Sequence, residues 1–196
     1  MADIEDDRVV LRHPRDIRAL VHPARLVVVN ALYGQNRQLT ATEAARLAGI
    51  TPSAMSYHLR ALERAGIAKR AEASADGRER PWVRAAAELT VRLDEEFSYA
   101  ASAATAALLE ATMEQDRRGL LASIERRQQP ERILALDGAT RYERESLVLT
   151  VEEALTLTRE IFELLKPFQP ENRAPPPEGT GSLTFSLAMF PDPDVS

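Results

Sequence analysis

Five side chains able to donate hydrogen bonds or carry positive charge recur at helical spacing near the middle of the first half: Ser53, Ser56, Tyr57, Arg60 and Arg64. At 100° per residue they fall on one side of a helix, and Met55, Leu59 and Leu62 fall on the other. Hydroxyls, one aromatic and two guanidinium groups are the donors suited to base edges and phosphates in a major groove. Tyr57 could equally cover the stem of Arg60 or Arg64, but its neighbours Ser53, Ser56 and Arg60 point outward with it, which favours contact with DNA. His58 lies about 60° from the apolar stripe. Packing with an internal hydrogen bond is its ordinary role there, and phosphate contact is the sharper one.

Other chemistries find little support. His13, His22 and His58 lie in different elements, and nothing in the sequence brings them together. The carboxylate runs Asp94-Glu95-Glu96 and Glu152-Glu153 sit in first turns of helices, where acidic residues stabilise the dipole. There is no cysteine, hence no disulfide or thiolate metal site. No Gly-rich phosphate loop, nucleophile motif or metal-ligand spacing appears, so neither an enzyme, a cofactor nor a metal is expected. No stretch approaches the roughly 20 apolar residues of a membrane span. A cytoplasmic protein is expected.

The elements that must position these donors are well marked. Thr51 is an N-cap, Pro52 suits the first helical position and Gly66 suits the left-handed site past the end, giving a helix over 52–65. Before it, Thr40-Ala41-Thr42-Glu43 is a capping box opening a helix that Gly49 ends. The short connection between them is that of a helix-turn-helix, with Thr40 and Thr51 placed to offer helix starts to phosphate. Strands are expected at 67–73 and 80–85, joined by Ser74-Ala75-Asp76-Gly77-Arg78, whose Asp-Gly pair signals a hairpin. Arg78 at the tip, with Lys69, Arg70, Arg80 and Arg84 along the ribbon, makes a basic wing. Trp82 reads as a core plug beneath it.

These motifs carry a resemblance. The stretch 18–84 resembles the winged-helix domain of the arsenic-repressor (ArsR) family of bacterial transcriptional regulators. Three segments bear it: Ala19-Leu20-Val21-His22-Pro23-Ala24-Arg25-Leu26, Ser56-Tyr57-His58-Leu59-Arg60-Ala61-Leu62 and Ala65-Gly66-Ile67. The ending Asp76-Gly77-Arg78-Glu79-Arg80-Pro81-Trp82 is similar to the wing of an actinobacterial-type subgroup with a longer C-terminal region. The resemblance implies a homodimer on a palindromic operator, joined through the N-terminal helix and the long helix after the wing. The family's metal sensors use a cysteine pair or His/Asp clusters, and neither is present here.

The charge agrees once it is divided. The chain of 196 residues has a net charge of −5. Residues 8–84 hold 14 Lys and Arg against 6 Asp and Glu, whereas residues 94–196 hold 10 against 19. Basic charge gathered on one domain is the footprint of a phosphate partner.

Elsewhere, Met1 to Asp7 reads as acidic and frayed, Val9 to Leu11 as a short strand, and Pro14 and Pro23 as helix starts. Arg25 reads either as a phosphate contact or as a solvated or ion-paired side chain. Residues 94–127 read as one long helix with an alanine-rich apolar side, suited to pairing with another helix. Strands are expected at 145–149 and 182–190, around a helix from the Thr150-Val151-Glu152-Glu153 capping box to Lys166. Phe162, Phe168, Phe185 and Phe190 could line an apolar site for an unknown small-molecule effector or form an ordinary small core.

The expected fold is thus mainly α with small β: a winged helix-turn-helix domain over 1–90, a long dimerisation helix over 91–129, and a small strand-helix-strand piece over 130–196 with a Pro-rich linker. The expected function is sequence-specific binding of double-stranded DNA by a dimeric regulator, most simply a repressor. DNA contacts are assigned to Thr40, Thr51, Ser53, Ser56, Tyr57, His58, Arg60, Arg64, Arg78 and Arg80. The alternative is a winged-helix protein-interaction module without specific DNA binding.

Overall fold

The computed structural model describes residues 3–72, 80–92, 99–129, 131, 136–173 and 177–190. It is mainly helical, with two small sheets. The first sheet is built on strand β2, Arg8–Leu11, where Val9, Val10 and Leu11 are buried. Strand β1, Asp3–Glu5, lies antiparallel on one side of β2. Asp6 and Asp7 both take positive φ between the two, as a tight hairpin turn requires. The acidic N-terminus is therefore a strand and turn over 3–7 rather than a frayed end. The signal was ambiguous because Asp is a poor strand former but tolerates the left-handed region.

Helix α1, Pro14–Arg18, follows, and then α2, Pro23–Val29, which runs on into a single π-helical turn, Asn30–Gly34. Leu26, Val28, Ala31 and Leu32 are buried along this run, as the helical spacing requires. Helix α3, Ala41–Ala48, opens with the expected capping box. Thr40 Oγ1 accepts from the Glu43 N–H, and Glu43 Oε2 accepts from the Thr40 N–H. It closes on Gly49 in the left-handed conformation (φ +67°). Helix α4, Pro52–Arg64, is capped by Thr51, whose hydroxyl accepts from the Ala54 N–H at 3.3 Å.

Strands β3, Ala68–Arg70, and β4, Trp82–Arg84, pair antiparallel in the register Lys69↔Val83. Residues 73–79 between them, the expected hairpin turn with Arg78, lie outside the described residues. Trp82 is 2% exposed under the Arg70 guanidinium, the plug expected of it. Its backbone exchanges two hydrogen bonds with Leu39, which ties the wing to the start of α3. Tyr33 is a second tie: its hydroxyl donates to the Ile67 carbonyl at 2.6 Å and accepts from the Ala85 N–H at 3.3 Å. Strand β5, Glu88–Val91, then lies parallel to β2 (Val9↔Leu89). It returns the chain to the first sheet, a pairing across about 80 residues that local patterning cannot show.

Helix α5, Tyr99–Arg126, spans 28 residues, about 42 Å at the usual rise per residue. It packs against α1 and α2, burying Ala104 with Leu108 and Ala111 beside it. Leu109, Met113, Leu121 and Ile124 are 43–59% exposed. Near its end, Arg126 grips the buried Asp137 through two hydrogen bonds of 2.7 and 2.9 Å, and Ser123 adds a third. This clamp holds the connector to the long helix.

The C-terminal region departs from expectation. Helix α6, Val151–Leu165, forms with its Thr150/Glu153 capping box, but it buries no residue. The expected strands 145–149 and 182–190 are absent, and both segments run without regular structure, with every residue in them exposed to some degree. Alternation alone does not make a strand, because the backbone groups need a partner ladder and none of the described residues supplies one. Phe162, Phe168, Phe185 and Phe190 are 53–71% exposed, so they form neither a core nor a pocket.

Candidate nucleic-acid interface

Helix α4 is two-sided. Met55, Leu59 and Leu62 are fully buried in the core shared with α2 and α3. Ser53, Arg60 and Arg64 are exposed on the opposite side, with Tyr57 64% exposed among them. The division follows from the sequence spacing, and among the described residues none of the acidic half covers this face. Ser56 is half-buried, and its hydroxyl donates to the Pro52 carbonyl at 2.8 Å, leaving its oxygen as an acceptor.

The helix starts are built as expected. Thr40 and Thr51 each spend a hydroxyl on capping, so their contribution to an anion is the remaining free N–H groups of the first turns. Hydrogen bonds from the Thr40 backbone and hydroxyl hold the Glu43 carboxyl below the usual carboxylate range, which keeps the box closed near neutral pH.

The wing stem departs from a simple basic ribbon. Arg80 is exposed, but its Nε donates to the Ala71 carbonyl, and Arg70 donates to the Arg80 carbonyl at 2.5 Å. Lys69 and Arg84 likewise hold the carbonyls of Ala85 and Ala87. Lys69, Arg70 and Arg80 thus tie the two strand segments together with their charge at the surface, while Arg84 braces its own segment. Of the assigned residues, Arg78 lies outside the described ones.

His58 differs most from its reading. It makes no internal hydrogen bond: its Nδ1 is buried with no partner among the described residues. Its ring lies 4.2 Å from that of His22, centroid to centroid, and meets Tyr57 edge-on at 5.6 Å. Two of the three histidines therefore do converge, because the start of α2 packs on α4. His22 caps α2, its Nδ1 accepting from the Ala24 N–H at 3.1 Å. Arg25 stands beside the pair with Nη2 on the Arg18 carbonyl and a buried, unpartnered Nε. Burial pushes both imidazoles below their ordinary value, and the positive charge of Arg25 adds to it. The only sequence signal for this cluster was the pairing of two segments that each looked local.

No group of three or more His, Cys, Asp or Glu residues able to hold a metal occurs among the described residues. Among the described residues no helix is long and apolar enough to cross a membrane.

Residues 20–71 match a helix-turn-helix domain family. That span runs from the end of the α1 segment through β3 and contains the whole of α2, α3 and α4. No curated protein matches the chain. Among solved structures, two of a MarR-family protein of Mycobacterium tuberculosis align with it, one in complex with p-aminosalicylic acid and one with salicylic acid. Identity is 22% and 24% over 77% of this chain, covering 87% and 85% of theirs, with TM-scores of 0.29 and 0.30. Superposition that poor gives the likeness no weight for the fold or ligands of this chain.

Proposed function

We propose that the chain is a sequence-specific, double-stranded-DNA-binding transcriptional regulator of the ArsR type, acting in the cytoplasm as a dimeric repressor rather than as an enzyme. The observation that carries the reading is the outward face of α4. A helix whose inner side is fully buried presents Ser53, Tyr57, Arg60 and Arg64 to solvent from a helix-turn-helix. Base contacts come from Ser53, Ser56, Tyr57 and Arg60; phosphate contacts come from the helix starts at Thr40 and Thr51, from Arg64 and from the wing cations Arg78 and Arg80. The exposed apolar residues Leu109, Met113, Leu121 and Ile124 on α5 support dimerisation through that helix. A two-fold dimer places its half-sites about one DNA turn apart.

A gel shift against the gene's own upstream DNA tests this. Arg60→Ala is expected to relax sequence preference and cost about 1–3 kcal/mol, and Arg78→Ala to weaken all sequences alike and reduce the salt slope. Unchanged affinity in both variants would favour the protein-interaction module.

A further inference from the structure

Resting on the DNA-binding reading, the geometry around α2 and α4 supports a more specific statement. We propose that His22, Arg25 and His58 form one seat for a DNA phosphate, and that His58 takes up a proton from solvent when the phosphate arrives.

Three features place an anion there. Two imidazoles and a guanidinium are packed together at the start of α2, with the rings 4.2 Å apart. The charged and titratable groups acting on His58 are His22 and Arg25, with the Tyr57 ring against its edge, and no carboxylate is among them. Arg25 likewise bonds to a carbonyl, that of Arg18, rather than to an acid. Finally, Arg25 Nε and His58 Nδ1 are buried polar atoms with no protein partner among the described residues. A concentration of positive and titratable donors without a counter-charge is what a phosphate oxygen neutralises. Tyr57 connects this cluster to the exposed face of α4, so a duplex on that face brings its backbone to the seat.

The proton is assigned to His58 by its neighbour's bond. His22 Nδ1 accepts from the Ala24 N–H, so adding a proton to that nitrogen breaks the cap of α2. His58 Nδ1 accepts from nothing, so that ring charges without breaking a bond. In the free protein, burial and the adjacent His22 and Arg25 push His58 below its ordinary value and so favour its neutral form. An arriving anion reverses the electrostatic balance and favours the imidazolium. By linkage, a step that gains a proton strengthens as pH falls, by at most about tenfold per pH unit for one proton.

The seat reads backbone, so a short mixed-sequence duplex at low salt suffices as the probe. Its affinity for the full chain, followed by fluorescence anisotropy from about pH 8 to pH 6, is expected to rise several-fold. His58→Gln is expected to remove that rise, Arg25→Gln to weaken binding at every pH, and His13→Gln to leave the slope unchanged. NMR of the unsubstituted chain gives a reading independent of any folding defect: the His58 imidazole should titrate at higher pH with duplex than without. Binding with a flat pH profile, a slope that survives His58→Gln, or an unshifted His58 titration overturns the inference and leaves the DNA-binding reading standing. No binding to any duplex at any pH overturns that reading and this one with it.

Discussion

Arg60 and Tyr33 illustrate two kinds of residue in this domain. Arg60 is exposed, and its removal should change what the protein binds without changing how well it folds. Tyr33 joins α2 to the wing, donating to Ile67 and accepting from Ala85. Tyr33→Phe removes both bonds, but the Ala85 N–H still donates to the Ile67 carbonyl at 3.1 Å, so the change should cost only about 0.5–1.5 kcal/mol, read by denaturant unfolding. The two lowered imidazoles predict the acid behaviour of the free chain. With the folded value below the unfolded one, the unfolded chain binds more protons, so their stabilising contribution is complete above the unfolded value and is lost as pH falls. His22→Asn retains a cap acceptor and removes a titrating ring. Thermal unfolding of that variant should decline less between about pH 7 and pH 5 than that of the parent. The individual donors of α4 were legible in the sequence because helical spacing sorts them. The His22–His58 contact was not, since it depends on how two helices cross.

At the level of elements, the capping signals were reliable because they are local chemistry. Thr40, Thr51 and Thr150 each cap where the sequence places them. The pairing of β2 with β5 and the absence of the C-terminal strands were not legible, since both depend on whether a distant segment supplies a hydrogen-bonding edge. The buried stripe of α4 should be as costly to damage as its burial implies. Leu59→Ala is expected to lose about 2–5 kcal/mol in denaturant unfolding. Helix α6 should behave in the opposite way. It buries no residue in the single chain, so little but its capping box and local pairs holds it. In hydrogen exchange on dilute protein its amides should exchange far faster than those of α4, and equal protection would show that α6 is covered in solution.

Across the whole molecule, charge and apolar surface are both partitioned. Cations gather on the helix-turn-helix half and carboxylates on the other, which keeps the acidic half away from a duplex. Most of the large exposed apolar residues lie instead along α5, residues 142–149, α6 and the segment 183–190. On the proposed reading the two surfaces take different partners: nucleic acid for the first and a second copy for α5. Light scattering should accordingly give a dimer mass, and Leu109→Glu with Met113→Glu should shift it to a monomer while residues 8–70 stay folded. The dividing line at the wing was legible from charge counts alone. How the last third is covered was not, because its apolar residues find too few partners within one chain.

The most direct test follows backbone amide signals by NMR while duplex DNA from the upstream region is added to the isotope-labelled chain. The account predicts that the first and largest changes fall on residues 51–64, with 40–43 and 69–72 following, while α6 and 181–190 stay unmoved. Changes confined to 151–190, with α4 silent, would contradict it.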